Sequence, residues 1–337
     1  MLNSLQPFFF RNLFSDIYFF KEGLNIITGD NAQGKTNLLE AIDLILTGKS
    51  FRKEASFQDF LSLGSENQTI HLKYVYKNTL DEKKLSFEKI KTKKIQQTFV
   101  IEPSDHFVFI TSNQKRRDWF DDKFGLLSLE YKKILFLIKK LFIQKIFFLK
   151  TNDKQGIKII HQQLVELIYK LTSLKLDLVK RMNCFLCIIF NSLFKESGFL
   201  QLVFKTSFTS KDNIFFILEK NIQKELFTKK LERTLSLDQY VFLLNDMAVE
   251  SYCSLSQRKM VFLSCAFSWI ALFQEIFEES PIILFDDFLS EIDIQRRRNL
   301  IEQLKTYPQV FLTKVLENKD VKLEGHILVL KEGKLHE

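Results

Sequence analysis

The chain has 337 residues, 46% of them hydrophobic and 27% charged, with a net charge of +8. That balance supports a sizeable core, in two domains, and excludes a disordered chain or a disulfide-built miniprotein. The 36 phenylalanines spread over every segment and mark a compositional bias, while the positive charge suits an acidic partner without specifying one. Four cysteines are too few for a disulfide scaffold. Cys184 and Cys187 have C-x-x-C spacing inside an apolar helical run, with no second pair nearby, so buried thiols are expected rather than a metal or redox site. The longest apolar stretch, Met260 to Gln274, falls short of the ~20 residues a membrane span needs. The N-terminus carries no basic-then-apolar signal pattern, so a cytoplasmic location without membrane contact is expected.

Residues 1 to about 28 read as strands around a turn at Glu22-Gly23. Leu24 to Thr28 forms an apolar strand running into Gly29-Asp30-Asn31-Ala32-Gln33-Gly34-Lys35-Thr36, which fits G-x-x-x-x-G-K-[ST], the phosphate-binding loop. In such a loop successive backbone N–H groups converge on phosphate oxygens at the start of a helix. Lys35 adds a point charge for the outer phosphates, and Thr36 offers its hydroxyl to Mg²⁺. Leu38, Leu39, Ile42 and Leu46 follow at helical spacing, and Gly48 is the expected stop. Ile70 to Tyr76 alternates, with Ile70, Leu72, Tyr74 and Tyr76 on one face; Leu85 to Ile90 and Thr98 to Ile101 are further strands, and Pro103 is punctuation.

From Leu129 to Lys195 the pattern is mostly helical, with one Gly and no Pro. Thirteen Lys and Arg stand there against four acids, so the whole positive excess of the chain lies in this stretch. Two readings fit it: an arm that meets nucleic-acid phosphates, and a solvated helix face with ordinary lysines. Strands over Phe199 to Phe204 and Gln239 to Leu244 follow, the latter ending in a turn at Asn245-Asp246, and then an apolar helix from Lys259. Pro281 to Phe285 is a buried strand ending in Asp286-Asp287, a Walker-B-like element. Asp286 is positioned to hold Mg²⁺ through water, and Asp287 to polarise an attacking water. Val310 to Thr313 and Ile327 to Leu330 are the last strands, with a turn at Glu332-Gly333. Two half-motifs on either side of a long insertion imply that the insertion projects from the nucleotide domain as an arm.

Together these residues resemble the RecF family, ABC-type ATPases related to the SMC proteins of bacterial recombinational repair. Arg11-Asn12 with Gly23-Leu24-Asn25 is similar to the family's opening, and Gly29 to Ile42 with Gly48 to Arg52 is a close and specific match. Arg116 to Asp121 resembles the lead into the family's helical arm, and Pro281 to Asp293 its Walker B and D-loop. No long heptad coiled coil of the SMC kind fits the arm. Ala32 stands where the family has Gly; its N–H is retained, and phosphate binding with it, on condition that the position does not need positive φ. The family's Ser-x-Gly-Gln signature fits in two registers. Leu255 to Arg258 places Arg at the Gly position, whereas Ser254-Leu255-Ser256-Gln257 places Ser256 there and keeps the spacing to Pro281 and Asp286. The second is preferred. The family's Gly-Pro-His-Arg-Asp-Asp element is replaced by Thr234 to Gln239, with only Asp238 recognisable.

The resemblance implies an α/β fold: an ABC-type ATPase head (a P-loop NTPase) from residues 1–115 and 240–337, with a mostly helical arm, 116–239, inserted in it. It implies ATP and Mg²⁺ as cofactors, and an ATP-driven homodimer in which Ser254 and the D-loop of one subunit cap the nucleotide of the other, with Ser256 and Gln257 also in the nucleotide-binding signature. Further implied partners are duplex or gapped DNA, RecO, RecR and RecA, with slow hydrolysis opening the clamp. In that picture the basic arm faces DNA. The alternative is a degenerate, hydrolysis-poor member that binds ATP as a scaffold. A transporter's ATPase subunit is disfavoured by the length and charge of the arm.

Overall fold

The computed structural model describes residues 1–52, 56–62, 69–86, 94–103, 105, 112–194, 198–232, 238–287, 292–315 and 324–336. The chain divides into two compact units, one made of 1–105 and 277–337, the other of 106–276. Residues 106–115 and 240–276, which the sequence reading places in the head, cluster instead with the second unit.

The chain opens with β1 (Leu2–Phe8), β2 (Tyr18–Phe19) and β3 (Gly23–Thr28), then enters α1 (Lys35–Thr47) and the short α2 (Phe57–Phe60). β4 (Ile70–Tyr76) and β5 (Thr79–Leu85) form a hairpin, followed by β6 (Thr98–Ile101). The hairpin turn is Lys77-Asn78, both at positive φ, which matches the right-handed twist of its strands. The strand expected over Leu85 to Ile90 therefore lies earlier; residues 87–90 are outside the described ones. The second unit runs from α3 (Asn113–Leu127), α4 (Leu129–Thr151) and α5 (Lys154–Phe194) through β7 (Leu200–Lys205), α6 (Lys211–Lys220) and α7 (Ile222–Thr228). β8 (Gln239–Leu244), β9 (Met247–Ala248), α8 (Val249–Tyr252) and α9 (Leu255–Phe277) complete it. The first unit resumes with β10 (Ile282–Phe285), α10 (Ile294–Lys305), β11 (Gln309–Lys314), β12 (His326–Lys331) and β13 (Lys334–His336).

The first unit holds two sheets. One has the order β13-β12-β3-β11-β10-β6, parallel except for the β12–β13 hairpin. The other is antiparallel, in the order β2-β1-β4-β5. α1 contacts strands of both sheets and is buried almost all round, from Leu38 through Leu46. A helix with no polar face belongs between layers, and Leu38, Leu39 and Ile42 join one core with Leu5 and Leu72 of the antiparallel sheet and Leu284 and Phe311 of the parallel one.

In the second unit α4 and α5 form an antiparallel helical pair beside the three-stranded sheet β7-β8-β9. α5 has 41 residues, about 60 Å of helix. Its buried positions recur every three to four residues, from Ile157, Ile160 and Leu164 to Phe190 and Phe194. α9 has 23 residues and starts at Leu255, four residues before the expected Lys259. Contrary to the sequence reading, this helix is long and apolar enough to cross a membrane; 72% of its most apolar window is buried within the protein, as in a core helix. Cys184 is exposed and Cys187 half-buried, so, contrary to the expectation from the sequence, neither thiol of the C-x-x-C pair is buried.

Lysines also enter this core. Lys145 of α4 and Glu225 of α7 form an ion pair at 2.6 Å, each 1% exposed. Lys145→Ala leaves Glu225 buried and uncompensated, an expected loss of about 3–5 kcal/mol. The double change Lys145→Met/Glu225→Leu restores most of it. Urea unfolding followed through Trp119 and Trp269, both in the second unit, measures it; a single variant as stable as the parent would show that the pair carries no such role.

Candidate nucleotide-binding site

The loop Gly29 to Thr36 joins β3 to α1, and its glycines are sterically required. A Cβ on Gly29 would lie 2.3 Å from the Leu330 carbonyl oxygen of β12. Gly34 has φ 97°, the left-handed conformation that turns the chain into α1. Ala32 has φ 63°, so the position does adopt the conformation that disfavours a side chain. The condition attached to Ala32 in the sequence is not met, and the loop carries a strain of about 1–2 kcal/mol there. Asp30, Asn31 and Ala32 are exposed.

Lys35 lies at the start of α1 with its side chain turned back on the loop. Nζ donates to the carbonyls of Gly29 (2.8 Å) and Asp30 (2.7 Å). Burial lowers its pKa, opposed by the charges of Asp287, Asp286 and Asp30. The next residue reaches the other half-motif: Thr36 Oγ1 donates to the Asp286 carboxylate, 3.0 Å from each oxygen. β10, which carries Asp286 at its C-terminal end, does not pair with β3; β11 lies between them. Thr313 of β11 fills the interval. Its Oγ1 donates to Asp286 Oδ1 at 2.7 Å and accepts from the Asp287 N–H at 2.9 Å. The Asp286 N–H donates to the Ile101 carbonyl of β6, 2.9 Å away. Three parallel strands thus end at one edge of the sheet, the usual place for a ligand in an open α/β sheet. Asp287 has φ 31°, outside the ordinary strand and helix regions.

Two further groupings frame the loop. Glu40 of α1 is fully buried. It receives Arg11 through two guanidinium nitrogens (Nη2 at 2.9 Å), Arg52 Nη1 at 3.2 Å and the Ser50 hydroxyl at 2.6 Å. Asn12 Nδ2 donates to the Ala32 carbonyl at 3.2 Å. The segments that resemble the family's opening and its Gly48 to Arg52 stretch therefore converge on α1 and the loop. On the other flank the β12–β13 turn holds Gln33: the Glu332 N–H donates to its side-chain oxygen and the Gly333 N–H to its carbonyl at 3.2 Å.

Ser254, Ser256 and Gln257 lie in the second unit, at the start of α9. The Ser254 N–H donates to Gln257 Oε1 at 2.9 Å and the Gln257 N–H to Ser254 Oγ at 3.3 Å. This reciprocal arrangement is a capping box, and it explains why α9 begins before Lys259. Ser256 sits in the first helical turn and is not among the residues with positive φ, so at this Gly-replaced position, unlike at Ala32, the backbone tolerates a side chain. Asp238 pairs with Lys175 of α5 at 3.0 Å, both buried. Residues 234–237 and 288–291, which carry the rest of the eroded element and most of the D-loop-like segment, lie outside the described residues. Among the described residues no group of three or more His, Cys, Asp or Glu could hold a metal. The oxygen pair Thr36–Asp286 suits a hard cation that keeps several waters.

The fold is that of a P-loop, ABC-type ATPase head. The chain belongs to the AAA domain family, whose model matches residues 3–324. Its relatives include the DNA replication and repair protein RecF of Macrococcus caseolyticus, 29% identical over 93% of this chain and 92% of that one. RecF of Clostridium botulinum is 28% identical over 84% of both chains. Among solved structures, RecF with ATPrS in the RecFOR pathway has a TM-score of 0.80 at 20% identity, covering 99% of this chain and 97% of that one. The Smc head domain from Pyrococcus furiosus has a TM-score of 0.53 at 14% identity, covering 99% and 94%. The likeness to RecF read from the motifs is thus present along nearly the whole chain.

The strain at Ala32 is measurable. Ala32→Gly is expected to raise the stability of the first unit by about 0.5–1 kcal/mol. Calorimetric unfolding of the two proteins reads the difference, and an unchanged or lower stability would mean that the loop bears no strain at this residue.

Proposed function

We propose that the chain is an ATP-binding, DNA-binding protein of recombinational repair that works as RecF does. The observation that carries this reading is the Thr36–Asp286–Thr313 contact, which joins the phosphate loop to the Walker-B-like strand as a nucleotide-metal site needs. Gly29 to Thr36 cradle the phosphates, and Lys35 moves from its loop carbonyls to the outer ones. Thr36 and Asp286 would hold Mg²⁺, which would offset phosphate charge. Asp287 orients the attacking water. ATP bridges two copies, with Ser254, Ser256 and Gln257 of one capping the nucleotide of the other. The paired heads clamp duplex or gapped DNA and, with RecO and RecR, assist RecA loading in the cytoplasm. The domain roles follow the sequence reading: a head that binds nucleotide and a basic helical arm that meets DNA. Hydrolysis is slow, because Ala32 strains the loop and Ser256 adds a side chain at the signature.

That second feature also favours the other reading, a scaffold that binds ATP without turnover. Steady-state assays with and without DNA separate them. Turnover that disappears in Asp287→Asn supports the enzyme; intact ATP binding with no turnover above background supports the scaffold.

Size-exclusion chromatography with and without ATP and gapped DNA tests the clamp. The protein is expected to be monomeric alone and dimeric with ATP and gapped DNA, and Lys35→Ala to remain monomeric; a variant that still dimerises removes the mechanism. Thr313→Val takes away the hydroxyl that fixes Asp286 and is expected to lower turnover by about 10²-fold with nucleotide affinity nearly unchanged. Duplex affinity is expected to fall about 10³-fold between 50 and 200 mM salt if roughly six phosphates are contacted. Salt-insensitive binding would count against a phosphate-facing arm.

A further inference from the structure

A cleft of about 370 Å³ opens in the second unit where the start of α5 meets α6 and α7. Ile157, Phe215, Ile222 and Leu226 form its apolar walls, and Lys154 and Lys158, one helical turn apart on α5, stand among them. Glu219 and Gln223 complete the lining. The Glu219 carboxylate is already engaged, 2.6 Å from Nδ1 of the fully buried His161. Neither lysine has an ion-pair partner among the described residues; Lys150, Lys220, Lys229 and Lys230 add positive charge on the same segments, whereas Lys224 is paired with Glu232 at 2.9 Å.

The way α7 is attached matters. Glu225 is its one buried residue, and it is held by the ion pair with Lys145. The apolar side chains of α7 are therefore not used up in a core. Ile222 and Leu226 line the cleft, and Phe227 is 90% exposed. On α6, Phe216 next to the lining Phe215 is 64% exposed. Apolar walls and two lysines without ion pairs together suit an anionic partner that also has an apolar group to bury.

We infer that this cleft is a docking site for a protein partner, taking a short acidic segment that inserts one aromatic or branched apolar side chain between Ile157, Phe215 and Leu226 while its carboxylates meet Lys154 and Lys158. A nucleic-acid backbone would leave the walls unused, and a second copy of the same face would bring lysines against lysines. The site is independent of the ATP-dependent reading above.

The test uses the full chain and two fluorescent peptides rich in Glu, Asp and Ser, alike except for a central Phe or Ala. The Phe peptide is expected to bind at least about tenfold more tightly. Phe215→Ser should reduce it to the level of the Ala peptide, and Lys154→Glu/Lys158→Glu should abolish binding, with circular dichroism unchanged. Binding should persist in Lys35→Ala, which separates failure here from failure of the nucleotide site. Equal affinity for the two peptides, no saturable binding, insensitivity to the variants, or displacement by equimolar duplex DNA would each overturn the proposal, the last by making DNA the occupant.

Discussion

The site depends on where the Asp286 carboxylate is held. It accepts from Thr36 at the start of α1 and from Thr313 on β11, and its own N–H is fixed by β6. Chain segments about 250 residues apart are thereby brought within a hydrogen bond of each other. The parallel pairing of β3, β11 and β10 makes this possible, since it ends all three strands at one edge. Lys35 feels the result, for the acids at that edge oppose the effect of burial on its ammonium. A cation at this position is thus electrostatically anchored before any anionic ligand arrives.

Much of this was legible in the sequence where the constraint is local. The phosphate loop is a short-range backbone pattern, β4 alternates over its whole length, and both β6 and β8 were located to the residue. β5 was displaced because Thr79 to Leu85 is charged, as an edge strand tends to be, and so lacks an apolar signature. Thr313 and Glu40 were not singled out for any role. Their partners are distant in sequence or lie on other elements, and a Thr ending an apolar run was the one available signal for the first. Ala32 misled in its own way, because an alanine says nothing of left-handed backbone. Residues 240–276 pack with the helical unit, and no change of composition marks that boundary in the sequence.

The charge of the arm reads differently once packing is known. Of the thirteen basic residues in its helical stretch, Lys145 and Lys175 are buried and paired with Glu225 and Asp238. They contribute nothing to a long-range field and instead fix how α7 and the chain before β8 attach to the helical pair. The same contact gives Asp238 a structural reason to be present: it holds Lys175, and its carbonyl accepts from Arg117 at 3.0 Å. Exchanging such pairs for apolar residues is often tolerated energetically, so their value lies in specifying one arrangement.

The position of β3 has a consequence for the order of events at the ribosome. Its two ladder partners are β11 and β12, and both lie in the last tenth of the chain. The strand that feeds the phosphate loop is therefore made early and waits, with both edges open, until translation is nearly complete. The second unit is one continuous stretch, 106–276, and has all its partners well before that. Vectorial synthesis thus separates the two units in time: the helical one can form while the nascent head is still an incomplete sheet, and the head closes last, by threading newly made strands on either side of an old one.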